Sequence, residues 1–234
     1  NAVRKGFNKA GGDSTLSNSN NTPTEYTRKN SNMSVEEYFN RGIERLNSEN
    51  YNGAISDFNN VIRITPDFVS AYNNRGSSKD NLKDYYGAIR DYTKAIELDP
   101  NYVYAYYNRG NSKDNLKDYY GAIRDYTKAI ELNPNYTSAY YNRGNSKDNL
   151  KDYYGAIRDY TKAIELNPNF TSAYLNRGIS KDNLKDYYGA ISDYTKAIEL
   201  DPNDADAYYN RGVPKGNLKD DYGAISDYTK AIEL

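Results

Sequence analysis

The chain has 234 residues, of which 27% are charged, and its positive and negative charges nearly cancel to a net −1. This balance argues against nucleic acid as the main partner, because phosphate binding needs a cationic surplus, and no stretch approaches the ~18 apolar residues of a membrane span. The absence of Cys and His excludes disulfides, thiolate chemistry and the usual zinc ligand sets, and removes the commonest general base. We therefore predict no metal site, no cofactor, and no membrane or nucleic-acid partner.

The first 34 residues are rich in Asn, Ser, Thr and Gly, and they include Gly11, Gly12 and Pro23. Such a composition is typical of a flexible tail or linker, which we predict over residues 1–34. The sequence begins at Asn1 and not at Met, as a fragment or a processed chain would, so the lack of a signal peptide says little about location. A cytoplasmic location is our expectation, although the sequence does not fix a compartment.

From Val35 onward the sequence repeats every 34 residues. Segments 103–136 and 137–170 differ only at their first, second and last positions, which chance does not produce. Self-similarity at this period indicates a solenoid of stacked helical units. An Arg-Gly pair marks the same place in each of six predicted blocks, which run over 35–68, 69–102, 103–136, 137–170, 171–204 and, incompletely, 205–234.

Within block 103–136 the pattern predicts two helices, over about residues 103–116 and 120–132. In the second helix, apolar side chains recur at i, i+3, i+4 and i+7 along one face, formed by Tyr119, Ala122, Ile123, Tyr126, Ala129 and Ile130. Asp118 precedes this helix and can cap its free amides. Pro134 ends the unit, because proline lacks an amide hydrogen and restricts the residue before it.

One such hairpin is too small to bury its own apolar face, whereas stacked hairpins share a continuous core. Small side chains indicate the places of closest approach: Gly110 and Ala122 between the two helices of a hairpin, and Ala129 against the next repeat. The sequence therefore predicts an all-α solenoid of antiparallel helix pairs.

These residues resemble the tetratricopeptide repeat family over about residues 35–234. The family places aromatic, small and proline residues at set positions of a 34-residue unit, and block three matches with Tyr106, Gly110, Ala122, Tyr126, Ala129 and Pro134. The resemblance implies a right-handed superhelical solenoid in which the first helix of each pair lines the concave face. It also implies that the array binds a peptide or a protein.

Some residues depart from the family pattern. Arg109 and Lys113 stand where the family often has Leu and Tyr, and Asp125 lies on the second helix. We hypothesise that Arg109 pairs with Asp125 across the hairpin, as Arg143 would with the corresponding Asp159; the alternative is that its methylenes lie on the core and its charge stays in water. In the turn, Lys117 stands where Gly is common, and a left-handed backbone there would cost about 1 kcal/mol.

Block six differs most from the others. Pro214 lies inside its predicted first helix and would remove one helical hydrogen bond, at a cost of ~3 kcal/mol, and Gly216 weakens the same turn. We therefore predict a frayed or kinked last repeat. The sequence stops at Leu234 before the proline of the unit, so we expect an exposed apolar side on the last helix, covered either by further natural sequence or by another copy.

The candidate binding surface is the inner side of the first helices, where columns of polar and aromatic side chains recur. An amide is both donor and acceptor, so a ladder of Asn side chains can hold an extended peptide by its backbone, and Tyr adds stacking and apolar contact. The alternative is that these side chains only bond neighbouring helices. The candidate peptide-binding residues are Asn74, Asn108, Asn142, Asn176, Tyr107, Tyr141, Asn111 and Asn145.

We predict no catalytic residue and no enzymatic activity, because the polar residues recur in register whereas an active site is a single asymmetric cluster. The expected function is a scaffold that holds an extended peptide or a partner protein on the concave face. A targeting or substrate-recruiting arm of a larger enzyme or secretion assembly is an alternative, as is a self-associating structural array. Single-stranded RNA binding is a further alternative, but it would need a cationic groove.

Overall fold

The computed structural model describes residues 33–234, so the predicted tail lies outside the described residues except for its last two. The described part of the chain is a succession of twelve α-helices without strands. They are α1 (Val35–Asn47), α2 (Tyr51–Ile64), α3 (Val69–Asn81), α4 (Tyr85–Leu98), α5 (Val103–Asn115), α6 (Tyr119–Leu132), α7 (Thr137–Asn149), α8 (Tyr153–Leu166), α9 (Thr171–Asn183), α10 (Tyr187–Leu200), α11 (Ala205–Asn217) and α12 (Asp221–Glu233).

The helices pair into six hairpins, and each hairpin packs on the next, as the sequence predicts. The predicted bounds in the third block are correct to within one residue, since α5 ends at Asn115 and α6 begins at Tyr119. The fold is therefore the predicted all-α solenoid. No helix in residues 33–234 is long and apolar enough to cross a bilayer.

The turn inside each hairpin has the same construction in all six repeats. The carboxylate of Asp118 accepts a hydrogen bond from the Gly121 amide at 2.9 Å, which confirms it as the cap of α6. The preceding Lys117 has φ 61°, so its backbone is left-handed. Equivalent left-handed residues are Glu49, Lys83, Lys151, Lys185 and Lys219.

The two helices of a hairpin approach most closely at the glycine of the first helix. A Cβ atom built on Gly110 would lie 2.7 Å from Cε1 of Tyr126, whose side chain is almost completely buried. Ala122 and Ala129 are also fully buried. The close contacts predicted from these small residues are therefore present, and a larger side chain at Gly110 would displace the tyrosine ring.

A buried ion cluster joins the two helices on the other side of the hairpin. Arg109 donates to Asp125 from Nε at 2.9 Å and from Nη2 at 2.7 Å, and Lys113 Nζ lies 2.7 Å from the same carboxylate. This confirms the hypothesised pair and adds a second cation to it. Arg109 also donates from Nη1 to Thr93 Oγ1 of the preceding repeat at 3.0 Å, so this one side chain ties together two hairpins.

The last repeat has a complete first helix, contrary to the prediction. The expectation of a frayed end is wrong, because α11 runs without interruption through Pro214 and has the 13 residues of the other first helices. Pro214 is buried, and the turns around it are held by Arg211 and Lys215, which both bind Asp227. One missing backbone hydrogen bond does not end a helix that side-chain contacts fix on both sides.

Candidate peptide-binding surface

The first helices of successive hairpins line one side of the solenoid. Successive first helices such as α5 and α7 contact each other directly, whereas the second helices of different repeats make no contact with one another in residues 33–234. The first helices are therefore closer together and form the inner side. This inner surface carries the candidate binding residues.

The Asn column forms hydrogen bonds between neighbouring repeats. Asn142 donates from Nδ2 to Tyr107 Oη at 3.1 Å and to Asn111 Oδ1 at 3.0 Å. Asn176 makes the equivalent bonds to Tyr141 and Asn145, one repeat further along. These contacts are the ones that the inter-helix alternative predicts. They use the amide nitrogens, and the amide oxygens of Asn142 and Asn176 take no part in them.

The earlier part of the column is bonded differently. Asn108 donates to Asn73 Oδ1 at 3.1 Å, because the second repeat has Asn where repeats three and four have Tyr. Asn74 is half-buried on α3 at the same position of its repeat. The candidate residues thus lie on one surface, and in repeats three to five they form two separate hydrogen-bonded groups, one around Asn142 and one around Asn176.

Buried tyrosines of the second helices extend these two groups into the core. Tyr126 donates to Asn111 Oδ1 at 2.8 Å, and Tyr160 donates to Asn145 Oδ1 at 2.9 Å. Burial raises the pKa of Tyr126 well above its ordinary value, and nearby Asp114 adds to the shift. Burial likewise raises the pKa of Tyr107, although its hydrogen bonds oppose the shift. These hydroxyls therefore stay protonated and keep the amides of the two groups oriented.

The rings of Tyr107 and Tyr141 lie half-buried on the inner surface. The centroid of Tyr107 is 4.8 Å from that of Tyr136, and the centroid of Tyr141 is 4.7 Å from that of Phe170. Each ring therefore packs against a neighbouring ring on one side, while part of it faces solvent. Such fixed aromatic surfaces give contact area to a ligand with little loss of side-chain entropy.

A column of carboxylates runs beside the amides and is oriented by serines of the following repeat. Ser146 donates to Asp114 Oδ1 at 2.6 Å, and Ser112 and Ser180 make the same bond to Asp80 and Asp148. Burial raises the pKa of Asp114, and the bond from Ser146 opposes the shift. The carboxylate column is therefore partly withdrawn from water and fixed in direction.

The serine is missing at one place in this column. Pro214 stands where the next serine would be, and Asp182 Oδ1 is the one buried side-chain polar atom without a hydrogen bond among residues 33–234. Burial raises the pKa of Asp182. The junction between repeats five and six thus lacks a polar contact that the three junctions between repeats two and five have.

A pocket of about 340 Å³ opens on the inner surface where α5, α7 and α9 meet. It contains two of the candidate residues, and its lining is mostly polar. The lining residues are Asp114, Asn145, Asp148, Asn149, Tyr160, Asn176 and Ile179. Residues 33–234 contain no group of three acidic side chains placed to hold a metal ion.

Comparison with known proteins decides the family. A model of the tetratricopeptide repeat matches residues 69–102, 103–136 and 137–170, and a second tetratricopeptide repeat model matches residues 184–213. The chain belongs to the tetratricopeptide repeat family. No curated protein sequence matches it.

Solved structures of tetratricopeptide repeat proteins resemble the chain closely in fold. A crystal structure of MamA is 28% identical, with a TM-score of 0.66 over 68% of this chain and 92% of MamA. YrrB, a TPR protein with an unusual peptide-binding site, is also 28% identical, with a TM-score of 0.68 over 75% of this chain and 91% of its own. A repeat protein from Parabacteroides merdae has a TM-score of 0.72 over 85% of this chain and 79% of its own; at 21% identity it shows the fold alone.

Several contacts of this tetratricopeptide repeat array were not predicted from the sequence. Lys113 joins the ion cluster, Thr93 receives the arginine of the next repeat, and Ser146 orients Asp114. The signal was present, because each of these residue types recurs at a fixed position of the blocks. The partners lie in different repeats, however, and only the stacking geometry shows which columns face each other.

Proposed function

We propose that the array is a binding scaffold that holds an extended segment of a peptide or partner protein along its inner surface, and that it is not an enzyme. The observation that carries this proposal is the row of half-buried amides and tyrosines on the first helices of repeats three to five, which are oriented by hydrogen bonds between neighbouring repeats. A pocket of about 340 Å³ opens within that row and is lined by two of its amides. The likeness to YrrB, which has a peptide-binding site, supports the same use.

The chemistry of the row suits a peptide backbone. Since Asn142 and Asn176 use their amide nitrogens inside the protein, the oxygens offered to a ligand would accept hydrogen bonds from its backbone N–H groups. Tyr107 and Tyr141 supply fixed rings for its side chains. The hydrogen bonds between repeats and the binding of a ligand are thus compatible, because the bonds between repeats orient the amide oxygens and rings that would contact the ligand.

This scaffold is equally suited to recruit a target for a larger assembly. In that version the chemistry would lie outside these residues, and the inner surface would bind the segment to be recruited. Flanking sequence distinguishes the two versions, whereas the binding surface is the same in both.

The test measures binding of the full chain to a mixed library of short, unstructured, fluorescently labelled peptides by fluorescence anisotropy. The triple variant Asn108→Ala, Asn142→Ala, Asn176→Ala should bind the library hits at least about tenfold more weakly, because each lost hydrogen bond contributes ~1 kcal/mol. The matched control replaces three exposed loop residues in the same way: Asn101→Ala, Asn135→Ala and Asn169→Ala. Equal affinity of both triple variants, at unchanged helicity, would contradict the proposed surface.

A second candidate function is end-to-end self-association. Ile225 and Ile232 on α12 are 61% and 85% exposed, whereas Ile130, the equivalent of Ile232 on α6, is only 9% exposed because α7 packs on it. The side chains of α12 match those of α6 except that Asp221 replaces Tyr119 and Ser226 replaces Arg124. We therefore propose that the first helix of a second copy occupies this face. Thr229 would then receive an arginine, as Thr127 receives Arg143.

Light scattering over a range of concentrations tests this association. The mean mass should rise with concentration for the natural chain and stay constant for Ile232→Lys. The control is Ile64→Lys, which changes another exposed isoleucine at the end of α2. A constant monomer mass for the natural chain at high concentration would exclude the association.

A further inference from the structure

The charges of the chain are separated between its surfaces, although they nearly cancel overall. The inner positions of the first helices are the second, fifth, sixth, ninth, twelfth and thirteenth of each block. These positions contain no Lys and no Arg in any block, but they contain the acidic residues Glu36, Asp80, Asp114, Asp148, Asp182 and Asp206. A ligand on this surface therefore meets only negative charge.

The Lys and Arg side chains of the first helices bind carboxylates of the second helices. Arg143 and Lys147 lie on α7, and both bind Asp159 of α8, at 2.7 Å each. The other repeats hold their cations in the same way. Because each buried Asp of the second helices has two cationic partners, no first-helix cation is left to neutralise the inner carboxylates. Within residues 33–234, neither Asp114 nor Asp148 forms an ion pair.

The inner carboxylates are nevertheless fixed in position. Ser146 and Ser180 donate to Oδ1 of Asp114 and Asp148, at 2.6 and 2.5 Å. The Oδ2 atoms of the two aspartates accept no hydrogen bond from the part of the chain that the structure describes. Each carboxylate thus has one oxygen that orients it and another that can receive a charged donor, which is the arrangement that charge-assisted hydrogen bonds require.

The pocket between α5, α7 and α9 combines these two carboxylates with amides and one apolar side chain. Lys and Arg side chains carry only donors at their charged ends, and their methylene stems pack on apolar surface. The pocket offers the acceptors in Asp114 and Asp148, and Ile179 offers the apolar contact.

We propose that this pocket binds a lysine or arginine side chain, so that the segment held on the inner surface is basic. This inference rests on the proposed function and specifies its ligand class. The surface discriminates in two ways, since it attracts cationic segments and repels acidic ones. It also repels the phosphates of single-stranded RNA, which disfavours the RNA-binding alternative.

The experiment compares three labelled peptides of equal length, in which serine alternates with lysine, with glutamine or with glutamate. Anisotropy with the full chain at low salt should give the lysine peptide at least about tenfold higher affinity than the glutamine peptide, which corresponds to ~1.4 kcal/mol. The glutamate peptide should not bind. Added salt should weaken the lysine peptide specifically, because the inner carboxylates are partly exposed.

Matched variants then locate the effect. Asp114→Asn with Asp148→Asn keeps an oxygen acceptor for each serine but removes both charges, and we expect it to lower affinity for the lysine peptide about tenfold. The control is Glu131→Gln with Glu165→Gln, which makes the same change of net charge on the outer side of the same two repeats, where both carboxylates are exposed. We expect the control to change the affinity less than about twofold.

The outcomes separate this inference from the function on which it rests. If library peptides bind but lysine gives no advantage over glutamine, the basic ligand class is wrong and the scaffold stands. An equal loss in both double variants would mean diffuse attraction by net charge and would also overturn the pocket. If no peptide of any charge binds, the proposed function itself fails. The peptide comparison needs no variant, so it decides the question even if an Asp→Asn chain does not fold.

Discussion

The junction between repeats three and four differs from the junction between repeats five and six, although both have the same fold. In the first, Asn142 bonds Tyr107 and Asn111 across the junction, and Ser146 bonds Asp114. In the second, the equivalents of Tyr107 and Asn111 are Leu175 and Ile179, and the serine is Pro214. The hydrogen bonds of the inner network are therefore absent from the later junction, where apolar side chains replace the two acceptors of the amide.

The outer contacts, by contrast, are the same in both places. Arg211 reaches Thr195 of the preceding repeat at 3.2 Å and pairs with Asp227 at 2.7 Å, much as Arg143 does with Thr127 and Asp159. Small residues and ion clusters thus occur in both regions, whereas the inner hydrogen bonds occur in only one of them. The fold is therefore compatible with loss of the inner network.

Removing a buried carboxylate from the ion cluster should have the largest effect, and it should be similar in both regions. We expect Asp125→Ala and Asp193→Ala each to lower the free energy of unfolding by about 3–5 kcal/mol, because each leaves two partly buried cations without a partner. Urea unfolding followed by circular dichroism measures this loss. Glu131→Ala, which removes an exposed partner of Lys128, is the control and should cost less than about 1 kcal/mol. A much smaller loss for Asp193→Ala would contradict the view that the clusters support both regions equally.

Placing serine in the sixth repeat and proline in the fourth should reverse the difference in stability between the two junctions. Pro214→Ser restores a backbone hydrogen bond and a partner for Asp182, and we expect it to stabilise the last hairpin by about 3 kcal/mol. Ser146→Pro should destabilise the fourth repeat by a similar amount. Hydrogen exchange of the amides of α7 and α11 reports each effect where it occurs. If Pro214→Ser leaves the hydrogen exchange of the α11 amides unchanged, the proline does not destabilise the sixth repeat.

The amide column should contribute to stability only where it has partners. Asn142→Ala removes two hydrogen bonds and should cost about 1–2 kcal/mol. Asn210→Ala is the matched change in the other region. In that region Leu175 and Ile179 stand at the two positions whose equivalents bond Asn142. Asn210 makes no side-chain hydrogen bond within residues 33–234. We expect it to be nearly neutral in thermal unfolding. Equal losses would mean that the network has no energetic role.

The smallest expected effect concerns pH. Burial raises the pKa of Asp182 above its ordinary value near 3.8, so the folded state binds this proton more tightly than the unfolded state. Stability from this group therefore increases as the pH falls through its folded pKa, and it is lost as the pH rises. Asp182→Asn should stabilise the chain slightly at neutral pH, and the difference from the natural chain should shrink as the pH falls through the raised folded pKa toward the ordinary value near 3.8. Thermal midpoints over this range measure it, and a difference that grows in acid would contradict the sign.

Most of the fold could be predicted from the sequence, because the period and the helical spacing are local signals. The cap at Asp118, the left-handed Lys117 and the pair Arg109–Asp125 follow from residues at most 16 apart in one hairpin. The behaviour of Pro214 was predicted less well. Helix propensity describes an isolated segment, whereas α11 is held by Asp227 on another helix.

The binding surface could be predicted only as a set of columns. The sequence places Asn142 and Tyr107 in columns of their own, but their hydrogen bond spans 35 residues and depends on how two hairpins stack. The function of the columns stays a prediction. Hydrogen bonds within the protein explain why Asn recurs at Asn108, Asn142 and Asn176. Binding measurements test whether the amide oxygens accept hydrogen bonds from a ligand.

The contacts between repeats also have a consequence for the size of the array. Each joins residues a fixed distance apart in the sequence: 16 for Arg143 and Thr127, 32 for Ser146 and Asp114, and 35 for Asn142 and Tyr107. Duplicating or deleting repeat three or four leaves these residues with equivalent partners. The number of stacked repeats can therefore change in whole steps of 34 residues without any new kind of interface.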